Sequence, residues 1–170
     1  MSFEIHIFED LPLETQQYVA NQVSDYTNGK LGEQPQMVPQ QPEEIFGRQV
    51  GIIALNKGLL AGYIGAKNPE FHNGCNMSAV GSLCVFSEYR NNGLARTLIG
   101  VITIGLVELN QKPYARGNKN SMGIFKQIGY VHAHAQDVPP SALDACKICP
   151  NKPVDSDHCD NILVFRGNIQ

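Results

Sequence analysis

The residues from Leu83 to Ala95 carry the clearest chemical signal in this chain. An apolar strand end, Leu83-Cys84-Val85, runs into a polar turn, and Gly93 then opens a long apolar helix. Successive backbone N–H groups in such a turn point toward one place, and the positive end of the helix dipole adds to them. A pyrophosphate fits that place. The turn therefore predicts an anion site and, with it, a nucleotide-like cofactor.

The elements around this turn have to hold it at the edge of a sheet. Helical spacing predicts helices from Pro12 to Asn28 and over residues 42–46, 93–110 and 121–128. Apolar and alternating runs predict strands over residues 3–9, 50–55, 59–66, 77–85, 112–116, 130–135 and 161–166. Asn56-Lys57-Gly58 predicts a three-residue hairpin connection, and residues 68–76 are expected to form a loop.

This order of strands and helices predicts an α/β sandwich around a mixed sheet. With 170 residues the chain is long enough for one domain with a real core. We therefore expect a single domain over residues 1–170, with an irregular Cys-rich insertion at about 137–160 before the last strand. The strand-to-helix junction at residues 85–93 is the expected cofactor crevice.

Composition and charge argue against several classes of protein. Hydrophobic residues make up 42% and charged residues 17%, and 13 basic against 16 acidic residues give a net charge of −3. Neither a nucleic-acid binder nor a membrane-surface binder fits that balance. The N-terminus lacks the pattern of a signal peptide, and the apolar stretch 94–109 is too short to span a bilayer. Five cysteines fit a reducing compartment, so we expect a soluble cytoplasmic protein.

Together the strand end and the turn resemble the GNAT superfamily of acetyl-CoA-dependent N-acyltransferases. In that family an apolar strand precedes Gln/Arg-x-x-Gly-x-Gly/Ala, which is matched here from Arg90 to Ala95. A second family element is Asn, then an aromatic residue seven positions later, then Lys/Glu-x-x-Gly-Phe/Tyr. Its counterparts in this chain are Asn118, Phe125, Lys126, Gly129 and Tyr130.

The resemblance implies a three-layer sandwich, with a mostly antiparallel sheet and helices on both faces, and acetyl-CoA as co-substrate. Main-chain groups of Leu83 and Val85 would pair with the pantetheine arm, and the turn amides would hold the pyrophosphate. A Cβ at Gly93 would collide with the phosphates. The implied cofactor-binding residues are Leu83, Cys84, Val85, Arg90, Asn91, Asn92, Gly93, Leu94, Ala95, Arg96, Asn118, Ser121 and Phe125.

Acyl transfer to an amine requires removal of a proton from the amine, donors to the thioester oxyanion and a proton for the leaving thiolate. A backbone N–H near Leu83 or Cys84 is the expected oxyanion donor. Many family members protonate the thiolate with a Tyr at the place that Phe125 holds here. The candidates that remain are Ser121, Tyr130, Tyr114 and water.

The general base is open as well, because Pro113 stands where some relatives have a Glu. His72 is the candidate base, because histidine is the side-chain type that can accept a proton near neutral pH, and Glu70 lies in the same loop. The alternatives are that His72 is an exposed loop residue and that a water chain carries the proton. Cys84 is either an acyl-accepting nucleophile or a small core residue, and the second fits its strand position better.

A cysteine-rich tail adds a separate question. Two thiols and a later His-Cys pair have some of the features of a zinc site, namely Cys146, Cys149, His158 and Cys159. A redox dithiol and simple packing of the insertion are the alternatives, and we assign no metal site. The insertion either closes the acceptor pocket or forms a subunit contact, for example in a homodimer. Residues 32–41 are the other expected pocket wall.

These observations predict an N-acetyltransferase that moves an acetyl group from acetyl-CoA to a primary amine. The acceptor is not identified: small amines, amino acids, antibiotics, protein N-termini and lysines are all candidates. A catalytically weak acyl-CoA sensor or scaffold is the alternative, because Phe125 has no proton to give. A third hypothesis is a zinc- or redox-dependent interaction module built on the tail.

Overall fold

A mixed β-sheet organises the chain in this computed structural model, which describes residues 1–32, 39–118, 120–144 and 162–167. The strands among these residues are β1 Glu4–Ile7, β2 Val50–Asn56, β3 Leu59–Ala66, β4 Glu70–His72, β5 Cys75–Val85, β6 Gln111–Arg116, β7 Tyr130–His132 and β8 Ile162–Phe165. The helices are α1 Leu13–Thr27, α2 Pro42–Phe46, α3 Leu94–Glu108 and α4 Met122–Ile128.

The strands lie in the order β1-β2-β3-β5-β6-β8-β7, and β4 forms a hairpin with β5. The neighbouring strands pair antiparallel with one exception among the described residues, since β5 and β6 are parallel. Helix α3 provides the crossover between these two parallel strands. The predicted mixed, mostly antiparallel sheet is confirmed.

Helices cover both faces of the sheet. On one face, α3 buries the apolar stripe that its sequence predicts, and α4 packs beside it; the buried members of α3 are Leu94, Leu98, Ile99, Ile102 and Leu106. On the other face, α1 and α2 bury Val19, Val23 and Ile45 against Ile53 and Tyr63 of the sheet. The three-layer arrangement is therefore confirmed. No helix among the described residues is long and apolar enough to cross a bilayer.

The two parallel strands separate halfway along β5. Residues 76–80 pair with residues 111–115 of β6, but beyond Val80 the described pairing of β5 is with β3 alone. Ser82 has a φ of 56° where the register with β3 shifts, which marks a β-bulge. The bulge thus lies just beyond the point where the described pairing of β5 with β6 ends, and the space between the two strands beyond that point is called the gap below.

Two connections differ from the sequence-based prediction. Lys57 and Gly58 both have positive φ, so β2 and β3 are joined by a two-residue turn instead of the three-residue one expected. Residues 70–72, expected in a loop, form β4, because Asn73 and Gly74 make a second turn of the same kind. The hairpin signal there was Asn-Gly, and the strand before it was too short to recognise.

Candidate functional site

The turn before α3 presents a set of backbone amides to solvent. Gly93 is the residue before the helix and has a φ of 76°, and Asn91 has a φ of 61°. The Thr97 amide donates to the Gly93 carbonyl at 3.1 Å, which is the first hydrogen bond of the helix. The amides of Leu94, Ala95 and Arg96 therefore precede the helical ladder and are available to an anion.

The space in front of this turn is open. A Cβ built on Gly93 meets no protein atom within 4 Å. The adjoining residues Asn91, Asn92 and Arg96 are exposed. A diphosphate could therefore approach the backbone at Gly93 without displacing protein atoms, and the turn fits the group that the sequence predicts for it.

Arg90 connects the turn to neighbouring elements through hydrogen bonds. Its Nε donates to the Val85 carbonyl at 3.0 Å, and its Nη2 donates to the Tyr26 hydroxyl at 3.0 Å. Asn92 adds a hydrogen bond from Nδ2 to the Arg90 carbonyl at 2.9 Å. Arg90 thus ties the turn to β5 and α1. The resemblance implies that Arg90 binds the cofactor, and any contact with a phosphate would be made in addition to these hydrogen bonds. Arg96 lies exposed on the first turn of α3.

Within the described part of the chain, the end of β5 has a strand partner on its β3 side alone. Cys84 lies opposite Tyr63 of β3, and its carbonyl oxygen lies within 2.9 Å of the Cβ position of Gly62. Because main-chain groups of successive strand residues alternate in direction, those of Leu83 and Val85 face the gap toward β6. The Val85 carbonyl accepts from Arg90, so the Leu83 groups and the Val85 amide line the rest of this edge.

The Cys84 side chain points the other way. It is fully buried among residues of α1 and α2, and its Sγ donates to the Ser82 carbonyl at 3.4 Å. Leu83 and Val85 pack instead toward α3. This places the thiol in the core on the face opposite α3, as the packing alternative expected.

Asn118 and Ser121 form a local cluster between the end of β6 and the start of α4. The Asn118 Oδ1 accepts from the amides of Asn120 and Ser121 at 2.9 and 3.0 Å. The Ser121 hydroxyl accepts from the Asn118 amide at 3.1 Å and has Asn118 Oδ1 at 3.3 Å as an acceptor. Asn118 therefore shapes the end of β6 and the entry to α4, whatever it does to a ligand.

Phe125 and Tyr130 lie in the core beneath α3. Their rings meet edge to face at 5.0 Å, and Tyr130 also contacts Phe165. The Tyr130 hydroxyl is 2.8 Å from the Thr103 hydroxyl, and burial raises the pKa of Tyr130 well above its usual value. The structure thus gives Tyr130 a packing position, with its hydroxyl occupied inside the protein.

His72 and its neighbours lie at the far end of β5. His72 pairs with Cys75, and its Nε2 is 2.9 Å from the Gln136 carbonyl. At ~3.3 Å per residue, Cys75 is about 23 Å along the strand from Ser82, where the gap opens. Glu70 accepts a hydrogen bond from Ser141. Burial, with Glu70 adding to it, raises the pKa of Tyr114.

Several expectations fall on parts of the chain that the structure does not describe. Cys146, Cys149, His158 and Cys159 lie outside the described residues, as does most of the loop 32–41. Within the described ranges, His, Cys, Asp and Glu form no group of three or more that could hold a metal.

Sequence reasoning missed one polar cluster near the gap. Arg48 donates through Nη2 to Gln40 Oε1 at 2.5 Å and to Ser82 Oγ at 2.8 Å. These residues come from three separate segments and belong to no motif, so no spacing in the sequence connects them. The bulge at Ser82 brings them together.

Comparison with known proteins places this geometry in context. Residues 71–137 match the FR47-like protein family. A GNAT-family acetyltransferase from Staphylococcus aureus shares 13% identity and a TM-score of 0.65, covering 96% of this chain and 98% of that one. No curated protein sequence matches the chain.

Two further solved structures share the architecture. A GNAT-family N-acetyltransferase from Escherichia coli, in complex with CoA, has 14% identity and a TM-score of 0.58 over 96% of this chain and 80% of that one. N-acetylglutamate synthase from Neisseria gonorrhoeae, complexed with coenzyme A and N-acetyl-glutamate, has 14% identity and a TM-score of 0.65 over 97% of this chain and 35% of that one. The predicted resemblance is confirmed, and the chain has the fold of the GNAT superfamily.

Proposed function

We propose that this protein transfers an acetyl group from acetyl-CoA to a primary amine. The observation that carries the proposal is the edge of β5 that has no β6 partner among the described residues, together with the turn that follows it, where Gly93 faces open space before α3. An extended thiol arm with a diphosphate at its end matches both features at once. The CoA-bound structures of the Escherichia coli and Neisseria gonorrhoeae proteins support this assignment for the shared fold.

Binding would use main-chain groups almost throughout. The pantetheine arm would add to the edge of β5 at Leu83 and at the Val85 amide, as a strand adds to a sheet. The diphosphate would accept hydrogen bonds from the amides of residues 91–96, with Gly93 allowing close approach. Arg96 would add charge from the first turn of α3. Backbone recognition of this kind tolerates wide sequence divergence, which fits identities of 11–19% among the matched structures.

The oxyanion of the tetrahedral intermediate needs a fixed donor in the gap. Of the two candidates, the Leu83 amide faces the gap, while the Cys84 main chain is directed toward β3. We therefore assign the Leu83 N–H as the donor. A backbone amide held by the sheet costs no reorganisation when charge develops on the oxygen.

The proposal assigns no single side chain as the general base for proton transfer. Ser121 lies beyond the end of β6, at the start of α4, and is the side-chain candidate for protonating the thiolate, with water as the alternative. His72 would have to act from about 23 Å along β5, and the Tyr130 hydroxyl is paired with Thr103 in the core. A water chain through the gap, accepting the amine proton, suits this geometry better than either residue.

Two measurements test the proposal together. Calorimetry with coenzyme A should show one site per chain, and a thiol-release assay with acetyl-CoA should show turnover that depends on an added amine. Absence of coenzyme A binding would refute the proposal outright.

A sensor or scaffold is the second candidate, and Phe125 favours it. The side chain at this position is buried against Tyr130 and has no proton to donate. A sensor would bind acetyl-CoA with the same stoichiometry but release no thiol above the rate of solvent hydrolysis. The same thiol-release assay, run over a broad set of amines, therefore separates the two functions.

A further inference from the structure

Arg48 lies over the sheet at the point where the gap opens. Its Nη2 is held by Gln40 Oε1 at 2.5 Å and by Ser82 Oγ at 2.8 Å. Its Cγ lies 3.2 Å from the Cβ position of Gly65, so the side chain crosses β3 where that strand has no side chain. The guanidinium is thus fixed on two sides by polar neighbours and by a close approach to the backbone.

The charge of this guanidinium is not balanced by a partner among the described residues. The ion pairs in that part of the chain join His6 to Glu4 and Lys30 to Asp25. The Nε of Arg48 is buried and makes no hydrogen bond there. A buried donor without an acceptor costs free energy, and more so when it is charged. The Arg48 side chain as a whole is only half-buried, so an anionic ligand at its exposed part would balance the charge.

The polar neighbours of Arg48 do not supply the missing acceptor. The Tyr63 hydroxyl, close to the same Gly65 position, is fully buried and also lacks a partner. The Glu9 carboxylate is already bound to the Gly51 amide at 3.0 and 3.1 Å. Two unpartnered polar atoms, Arg48 Nε and Tyr63 Oη, therefore lie near one another on one face of the sheet.

Because the proposed diphosphate site is at the N-terminus of α3, we expect the acceptor to approach from the other face of the sheet. Tyr63 packs with α1 and α2, so Arg48 lies on the face opposite α3, whose N-terminus would hold the diphosphate. Ser82, which Arg48 contacts, marks the start of the gap through which the thioester would be presented. An amine entering from the α1 side would pass the guanidinium before reaching the Leu83 amide.

We propose that Arg48 binds a carboxylate of the acceptor, so that the acceptor is an amino acid or another amine that carries a carboxylate close to its amino group. A guanidinium forms strong, charge-assisted hydrogen bonds to a carboxylate. Because Nη2 already donates to Gln40 and Ser82 and Nε is buried, Nη1 is the donor left for the ligand. Polycationic acceptors would meet an unneutralised positive charge at this point. This inference rests on the proposed acetyltransferase function and narrows its substrate class.

The test compares the common amino acids with their carboxamides as acceptors, at saturating acetyl-CoA. The wild-type chain should show a KM for its best free acid roughly 10-fold or more below that for the matching carboxamide. Arg48→Met should remove most of this difference by raising the KM of the acid, while the KM for acetyl-CoA stays unchanged. Arg48→Gln removes the positive charge but keeps a hydrogen-bond donor for Ser82, and it should raise the KM of the acid as Arg48→Met does. The same result in both variants shows that the lost charge, and not the lost hydrogen bond to Ser82, is the cause.

Arg166→Met is the matched control, because Arg166 is an exposed arginine that follows β8 and its loss changes the net charge equally. It should leave the acid preference intact. Equal KM values for acids and carboxamides in the wild-type chain, or a preference that survives Arg48→Met, would overturn the assignment of Arg48 while leaving acetyl transfer standing. If no amine turns over but coenzyme A binds, the amino acids should still raise the melting temperature of the coenzyme A complex, and failure to do so also overturns it. Failure of coenzyme A itself to bind would instead refute the acetyltransferase function.

Discussion

At the scale of single residues, Gly93 combines two physical requirements. Its φ of 76° places the amides of the following helix in one direction, and its missing Cβ leaves the approach to them open. Gly74, in the β4–β5 turn, has a φ of 78° and equally open surroundings, but it lies at the opposite end of β5. Substitution of either glycine should therefore strain the backbone to a similar extent. The two positions differ because only Gly93 lies at the proposed diphosphate site.

Gly93→Ala should weaken coenzyme A binding at least roughly 10-fold, because the new methyl group occupies the space where the diphosphate would approach. Gly74→Ala should cost about the same free energy of unfolding, ~1 kcal/mol, without changing coenzyme A affinity. Calorimetry on both variants, with chemical denaturation for stability, makes the comparison. Equal coenzyme A affinity in the wild type and Gly93→Ala would remove the turn from the binding site.

Asn118 is a second single residue with two roles to separate, one in the start of α4 and one in the proposed cofactor site. Its Oδ1 accepts from the amides that begin α4, and the resemblance implies a contact with the cofactor. Asn118→Ala removes both, whereas Asn118→Asp keeps the accepting oxygen.

We expect Asn118→Ala to lower the free energy of unfolding by about 1 kcal/mol and Asn118→Asp to leave it nearly unchanged. Both variants should reduce kcat more than they weaken coenzyme A binding. Normal turnover in Asn118→Asp would mean that the residue acts on α4 alone, and steady-state kinetics beside urea unfolding distinguish the cases.

At the scale of elements, β5 is a strand with two different halves. Its first half is paired on both sides, by β6 and by β4 or β3, and its second half is paired with β3 alone. The bulge at Ser82 divides them and also turns its hydroxyl toward Arg48. This one irregularity therefore lies next to the end of the β5–β6 pairing and also contacts a cationic side chain.

Hydrogen exchange should report this asymmetry directly. In the free protein the amides of Leu83 and Val85 should exchange faster than that of Cys84, whose main chain is directed toward β3. Saturating acetyl-CoA should slow the first two at least roughly 10-fold and leave Cys84 little changed, because the pantetheine arm would pair with the Val85 amide and the acetyl oxygen with the Leu83 amide. Protection that appears equally at all three amides would argue against a ligand on this edge.

At the scale of the whole molecule, the core relies on tyrosines whose hydroxyls are buried on both faces of the sheet. Burial raises the pKa of Tyr63 and of Tyr130, and Thr103 opposes the rise at Tyr130 through its hydrogen bond. A raised pKa means that the folded chain keeps these protons when the unfolded chain has lost them. Stability is therefore unaffected below pH ~10 and falls as the pH rises above it.

In Tyr130→Phe the free energy of unfolding should decrease less steeply with pH, by about 1.4 kcal/mol per pH unit above pH ~11. The reason is that the variant lacks the buried hydroxyl that stays protonated only in the folded chain. At neutral pH the variant should lose about 1 kcal/mol, the typical contribution of a buried hydroxyl pair. Tyr18→Phe is the control, because Tyr18 is 46% exposed. Identical pH slopes in all three proteins would mean that Tyr130 titrates freely and is not held in the core.

The order of the elements and the turn at Gly93 could be predicted from the sequence, because both depend on local spacing. Helix α3 needs its apolar stripe, and α4 ends at Gly129 with a φ of 110°, as its sequence predicts. The strand β4 was missed because three residues carry too little periodicity to recognise.

The tertiary structure alone decided where β5 and β6 part, which way the Leu83 and Cys84 amides face, and that Arg48 meets Ser82 across 34 positions of sequence. It also shows that Tyr130 lies in the core and that His72 lies beside the first residue of β5, far from the gap. These outcomes depend on strand register and on packing between distant segments, which no local pattern of residues encodes.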